Sequence, residues 1–176
     1  TNPDGSQIEP APSKVLGAGE STPLKMASAI GTIGNNGNRC EPKGIWKTED
    51  RDGNVVKENQ PDCKNVYDSA AAQKTTTVLR QAVQAHYGSI ALANGQPFAG
   101  KSGTTDNNAN TWMIGYTPHL ATAGWVGTAA SSSRALNNIV INGQYSSALY
   151  GQDFVGPMWK QFMDAALADK PVEDIP

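Results

Sequence analysis

The sequence predicts a mixed α/β fold of the α+β type, an antiparallel sheet flanked by helices. Three observations predict it. The strand-like runs "PFAGKSGTT", "NTWMIGYTP" and "LATAGWVGT" follow one another with joints too short for a crossover helix. Neighbouring runs must therefore pair as antiparallel hairpins. Helical patterns precede and follow this block, and 18 Gly and 11 Pro in 176 residues imply many turns and short elements. The length suits one domain, or a piece of one, with a sizeable core.

Residues 1–20 are rich in Pro and Gly without a period and read as loop. "STPLKMASAIGTIGNNG" then carries helix signals. Thr22 can cap, Pro23 suits the first turn, Leu24, Ala27, Ile30 and Ile33 share a face, and Asn36-Gly37 stops it. A short buried helix is expected. Residues 38–66 look extended and polar, with Asp52-Gly53 as a hairpin signal. "DSAAAQKTTTVLRQAVQAHYG" is a second helix capped by Asp68 or Ser69 and stopped by Gly88. Leu79, Ala82, Val83 and His86 line its inner side, with His86 as a core or boundary residue. The middle of the three strand runs, with Trp112, Met113, Ile114 and Tyr116, suits a central strand covered on both faces. The third is small (Ala121, Ala123, Gly124, Gly127) and lets a helix approach closely. "SSSRALNNIVINGQYSSALYGQD" reads as loop plus an irregular extended piece. "FVGPMWKQFMDAALADK" is a third helix with Phe154, Met158, Phe162 and Ala165 as its core stripe, and "PVEDIP" is a tail.

Charge is sparse and nearly balanced, at net −2, so no basic patch points to nucleic acid. No apolar run reaches the length of a membrane span. The chain starts without Met and shows no signal peptide, and is read as a piece of a longer protein. Cys40 and Cys63 sit in polar, Pro-containing stretches, "NRCEPK" and "QPDCKN". Free structural cysteines prefer apolar neighbours, so this pair reads as a disulfide in an oxidising compartment. In the loop-entropy picture such a closure contributes roughly 3.5 kcal/mol. Two cysteines cannot make a structural zinc site, and His86 and His119 are not at ligand spacing, so no metal and no cofactor is expected.

Residues 95–102, "GQPFAGKS", fit the phosphate-loop pattern at every fixed position. That loop needs an entering strand and a helix starting at the Lys-Ser. Downstream stands "GTTDNNANTW", whose Gly, Asp and Asn oppose a helix. Asp106 to Asn110 begin like a calcium loop, but Thr111 stands where Gly is needed and Thr117 where Glu is needed. It reads as a polar hairpin turn. The same letters contain K-S-G-T, the lysine–hydroxyl–glycine triplet of penicillin-recognising enzymes. Lys101 at an edge strand supplies positive charge and Ser102 and Thr104 offer hydroxyls for a carboxylate. Gly103 admits a close substrate backbone, and the Thr104 amide can serve an oxyanion. Alternation puts 102 and 104 on one face and 101 on the other, so the lysine must bend round the edge to reach a cleft.

A triplet of this kind occurs by chance in roughly one chain of this size in ten. The weight falls on three segments in order: "VLGAGESTPLKMASAIGTIGNNG", "FAGKSGTTDNNANTWMIGYTPHLATAGWVG" and "YGQDFVGPMWKQFM". Together they resemble the C-terminal part of the transpeptidase domain of a class A, bifunctional penicillin-binding protein, across nearly the whole chain. The cysteine-bearing insertion resembles some members too. The resemblance implies the serine β-lactamase/penicillin-binding transpeptidase fold, with residues 1–170 the C-terminal portion of one domain and 171–176 opening a tail. It implies D,D-transpeptidation of peptidoglycan through a serine acyl-enzyme that β-lactams trap. Lys101 and the Thr104 amide would be catalytic, and Ser102, Gly103, Thr104 and Thr105 would bind substrate. It also implies the extracytoplasmic face of the bacterial membrane, with the anchor outside this chain.

Two departures stand out. The triplet has Ser where many class A members have Thr. There is no S-x-x-K and no S-x-N; Thr22 to Lys25 has the spacing of the first but opens a helix that is structural in the family. The nucleophile and its Lys are therefore expected on an N-terminal segment outside this chain. A β-lactamase-like hydrolase or a sensor of the same fold, and more distantly a nucleotide-binding protein, remain as alternatives.

Overall fold

The computed structural model describes residue 7 and residues 9–129, 134–141 and 143–175. Within the predicted initial loop, Pro12–Leu16 form a 3-10 turn. Helix α1 spans Pro23–Gly34 and starts as its sequence dictates, with the Lys25 amide donating to the Thr22 hydroxyl at 3.3 Å and Pro23 in the first turn. Asn36 and Gly37, with φ of 52° and 86°, end it in the left-handed region. The expected short buried helix is buried only in part: Ile30 on its inner face is buried, but Leu24 is 63% exposed. The sheet comes closest near the C-terminal half, where a Cβ on Gly31 would lie 3.0 Å from that of Ala121.

The polar stretch that follows folds into two ribbons. Strands β1 (Asn38–Cys40) and β4 (Cys63–Asn65) pair antiparallel with Cys40 opposite Cys63, and the two are joined by a disulfide. Between them, β2 (Lys47–Glu49) pairs with β3 (Val55–Glu58). The Asp50 carboxylate accepts from the Asp52 and Asn54 amides, both at 2.9 Å, and Gly53 takes φ 85°, which an L side chain resists. Helix α2 (Ser69–His86) is capped by the Asp68 carboxylate, which accepts from the Ala71 amide at 2.9 Å. His86 is exposed, against the expectation of an inward position. The inward residue is its neighbour Tyr87, 3% exposed at the helix terminus.

The central sheet has the order β5 (Ala99–Thr104), β6 (Asn110–Tyr116) and β7 (Ala121–Gly127), all antiparallel. The alternating side chains of β6 serve two cores. Met113 faces a cluster with Tyr87, Ile90, Phe98, Val155, Trp159 and Met163. Ile114 and Tyr116 face α1 and α2 in a second cluster with Ile30 and Ala99. Tyr116 donates to the Thr76 hydroxyl of α2 at 2.6 Å, since the Thr76 proton goes to the Ala72 carbonyl at 3.0 Å. The small third strand does what its composition predicts: a Cβ on Gly124 would lie 2.8 Å from Val155 Cγ1.

Two further corrections concern the C-terminal third. The stretch expected to be irregular contains a hairpin, β8 (Asn137–Ile141) paired with β9 (Gln144–Ala148). After it, a π-helical turn at Gly151–Val155 leads into α3 (Gly156–Ala166). The buried stripe of this segment is Val155, Trp159, Met163 and Leu167, whose first three members each stand one residue beyond the predicted Phe154, Met158 and Phe162; Met158 and Phe162 are 43% and 57% exposed. Two apolar stripes lie side by side on this helix, and Gly115 and Gly124 leave room for the Trp159 and Val155 side. Residues 171–175 lie against the body, with Ile175 buried and Asp174 paired with Arg80 at 2.9 Å. Among the described residues no helix is long and apolar enough to cross a membrane.

Candidate active site

Lys101, Ser102, Gly103 and Thr104 all lie on β5, a free edge of the central sheet. The Thr105 amide donates to the Asn110 carbonyl at 2.9 Å across the hairpin, so the Thr104 amide, one residue earlier, points away from β6. Ser102 obeys the same alternation, and its outward amide donates to the Tyr87 hydroxyl at 3.2 Å. Ser102 and Thr104 share the α3 side of the strand with Met113. Lys101 emerges on the α2 side with Ile114. The lysine does bend round the edge, because its Nζ donates to the Ser102 carbonyl at 2.8 Å and to the Tyr87 hydroxyl at 3.2 Å. No helix starts at Lys101-Ser102, which removes the phosphate-loop geometry.

Beside the strand lies an open cleft of about 350 Å³, bordered by Ser102, Thr104, Tyr150, Gly151, Gln152 and Asp153. The π-helical turn forms its far wall and is anchored by the Gly151 amide, which donates to the Thr104 hydroxyl at 3.1 Å. The Thr105 hydroxyl accepts from the Asn110 amide at 2.9 Å and holds the turn after β5. That turn is the polar hairpin expected from the sequence, with Asn107 and Asn108 at φ 57° and 54°. A Cβ on Gly103 would meet only Trp112 Cβ, at 3.5 Å, so packing within the chain does not demand glycine there. Among the described residues no cluster of His, Cys, Asp or Glu could hold a metal ion.

Tyr87 and the 150–153 wall were not singled out in the sequence. Tyr87 stands at the end of a helical pattern and carried no motif. The one signal for the wall is that Tyr150 to Asp153 open the last family-like segment. Burial pushes the Tyr87 phenol up, but hydrogen bonds with Ser102 and the Lys101 ammonium outweigh it and bring it below its ordinary range.

An antiparallel sheet with K-S-G-T on its edge strand and helices on both faces is the architecture the resemblance implies. Residues 9–146 match the penicillin binding protein transpeptidase domain, and the chain belongs to that family. Penicillin-binding protein 1A of Mycolicibacterium smegmatis is 33% identical over 98% of this chain, which spans 22% of that protein. Penicillin-binding protein 1A of Aquifex aeolicus is 30% identical over 95% of the chain, again spanning 22% of the relative. The structure of the penicillin-binding protein PonA1 from Mycobacterium tuberculosis aligns with a TM-score of 0.83 at 30% identity, over 99% of this chain and 45% of that one. The same protein in complex with penicillin V gives 0.80 at 31% identity, over 99% and 46%.

Proposed function

We propose that the intact protein is a serine D,D-transpeptidase that cross-links peptidoglycan, and that this chain supplies one wall of its active site. The observation that carries the reading is the outward edge of β5, where Ser102 and Thr104 border the cleft, the Thr104 amide points away from β6, and the Lys101 ammonium is held at the same edge by the Tyr87 hydroxyl and the Ser102 carbonyl. In this reading residues 1–170 are the C-terminal portion of the transpeptidase domain and 171–176 open a tail. An N-terminal segment outside the chain brings the nucleophilic serine, its S-x-x-K lysine and the S-x-N motif. The membrane anchor lies there too, and the domain works on the extracytoplasmic face.

The chemistry is acyl transfer. The serine oxygen attacks the carbonyl of a D-Ala-D-Ala stem peptide, the terminal D-Ala leaves, and an amine of a second strand takes the acyl group. The protein's own donors act where charge gathers. The Thr104 amide meets the oxyanion, and an amide fixed in a strand needs no reorganisation to do so. Lys101 supplies positive potential near the serine and the substrate carboxylate. Ser102 and Thr104 hold that carboxylate, and Gly103 and Thr105 border the peptide. β-Lactams enter the same place and stay as acyl esters. No metal or cofactor is needed for these steps.

Acylation of the full-length protein by a labelled penicillin, with the rate of label release, tests this reading. A stable adduct on a serine outside residues 1–176 is expected. Rapid release would identify a β-lactamase-like hydrolase. A stable adduct without cross-linking of stem peptides would identify a sensor. Nucleotide binding in place of acylation would return the phosphate-loop reading.

A further inference from the structure

We propose that Tyr87 is a positioning residue of this wall, whose hydroxyl sets the direction in which Ser102 donates and the place where the Lys101 ammonium stands, so that both meet a carboxylate. This rests on the transpeptidase reading above. A phenolic oxygen has one proton to give and two lone pairs. The Ser102 amide donates to the Tyr87 oxygen at 3.2 Å, and the Lys101 ammonium donates to it at 3.2 Å. Neither of those groups can accept. Both lone pairs are thereby used, and the phenolic proton is left for the third neighbour, the Ser102 Oγ at 2.9 Å. Ser102 then receives a proton from behind, and its own proton is free to be donated into the cleft it borders.

A site prepared in this way favours an anionic acceptor over a ligand N–H. The ammonium is held in the same network, since it also donates to the Ser102 carbonyl at 2.8 Å. The hydroxyl is well placed to organise others because the ring cannot move. Tyr87 is 3% exposed and packed with Ile90, Phe98 and Met113. It stands where the chain leaves α2, beside the outer edge of β5.

The test uses the full-length protein and Tyr87→Phe, which keeps the ring and removes only the hydroxyl. Acylation is followed with a penicillin and with its methyl ester, which lacks the carboxylate charge. Tyr87→Phe should slow acylation by the acid about tenfold, the effect of one oriented hydrogen bond in a network. Saturation kinetics should place the loss mainly in the binding constant, and the preference for acid over ester should shrink by a similar factor. In a Ser102→Ala background the same substitution should cost clearly less than in wild type, because only its hold on the Lys101 ammonium remains. Wild-type kinetics for Tyr87→Phe would overturn the proposal. So would equal slowing of acid and ester with full additivity on Ser102→Ala, which would make Tyr87 a packing residue. A wild-type protein that penicillin does not acylate at all would remove the transpeptidase reading itself.

Discussion

The Gly151 amide donates to the Thr104 hydroxyl at 3.1 Å and so ties the π-helical turn ahead of α3 to the end of the candidate wall. The contact exists because the turn lies directly on the sheet. A Cβ on Gly151 would stand 2.3 Å from the Trp112 carbonyl oxygen and 2.6 Å from that of Gly103. Backbone cannot give way as a side-chain tip can. Gly151→Ala should therefore destabilise the domain by about 1–3 kcal/mol, the usual cost of overpacking. It should also slow acylation, since the cleft wall is displaced. Urea midpoints and acylation rates check this, and unchanged values for both would refute the assigned contact.

Cys40 and Cys63 face each other across β1 and β4, 23 positions apart in the sequence. Peptide mapping of the non-reduced protein should recover them linked. Reduction should lower the unfolding midpoint by the equivalent of up to roughly 3.5 kcal/mol, and should speed amide exchange in the two ribbons first. Two alkylatable thiols in the protein as isolated would contradict the bridge.

Asp164 gives a pH dependence with a definite sign. Burial pushes its carboxyl up, but the Lys160 ammonium and the Ala93 amide, at 2.8 Å from Oδ1, prevail and hold it below its ordinary value of 3.8. A carboxyl lowered in the folded state stabilises fully above that ordinary value. The contribution is lost as pH falls through the folded value. Asp164→Asn should be less stable than wild type by about 1.5 kcal/mol at neutral pH, the lower range for hydrogen bonds to a charged group. The gap should narrow below pH 3.8. Melting curves across that range check it, and a gap that widens in acid would mean the sign is wrong.

Much of the fold was legible because local chemistry and global architecture agree. Thr22 and Asp68 cap the helices that their positions announce, and Asp52-Gly53 makes its hairpin. The three strand runs pair in sequence order because their joints allow nothing else. Where the sequence misled, two local signals competed. Phe154, Met158 and Phe162 match a helical period as well as Val155, Trp159 and Met163 do, and only the space over Gly115 and Gly124 decides between them. The β8–β9 hairpin was hidden by polar residues on a pair of strands whose Val140 and Tyr145, paired next to the turn, stay exposed, although Asn142-Gly143 is a turn signal. In the site, Lys101 to Thr104 stood out by motif. Tyr87 did not, because its role comes from three-dimensional proximity to residues 14 and 15 positions away.

If the β5 edge is the working wall of an acyl-transfer site, Lys101 is the residue whose loss shows it most plainly. Its side chain is exposed and its contacts are at the strand edge, so its loss should leave the fold intact. Stopped-flow acylation of the full-length protein by a labelled penicillin should slow by about 10²–10³ in Lys101→Ala, or roughly 2.7–4 kcal/mol, as for removal of one preorganised electrostatic contact. Its unfolding midpoint should match wild type. Equal acylation rates in the two proteins would make Lys101 a solvated guard against strand pairing and would contradict the account.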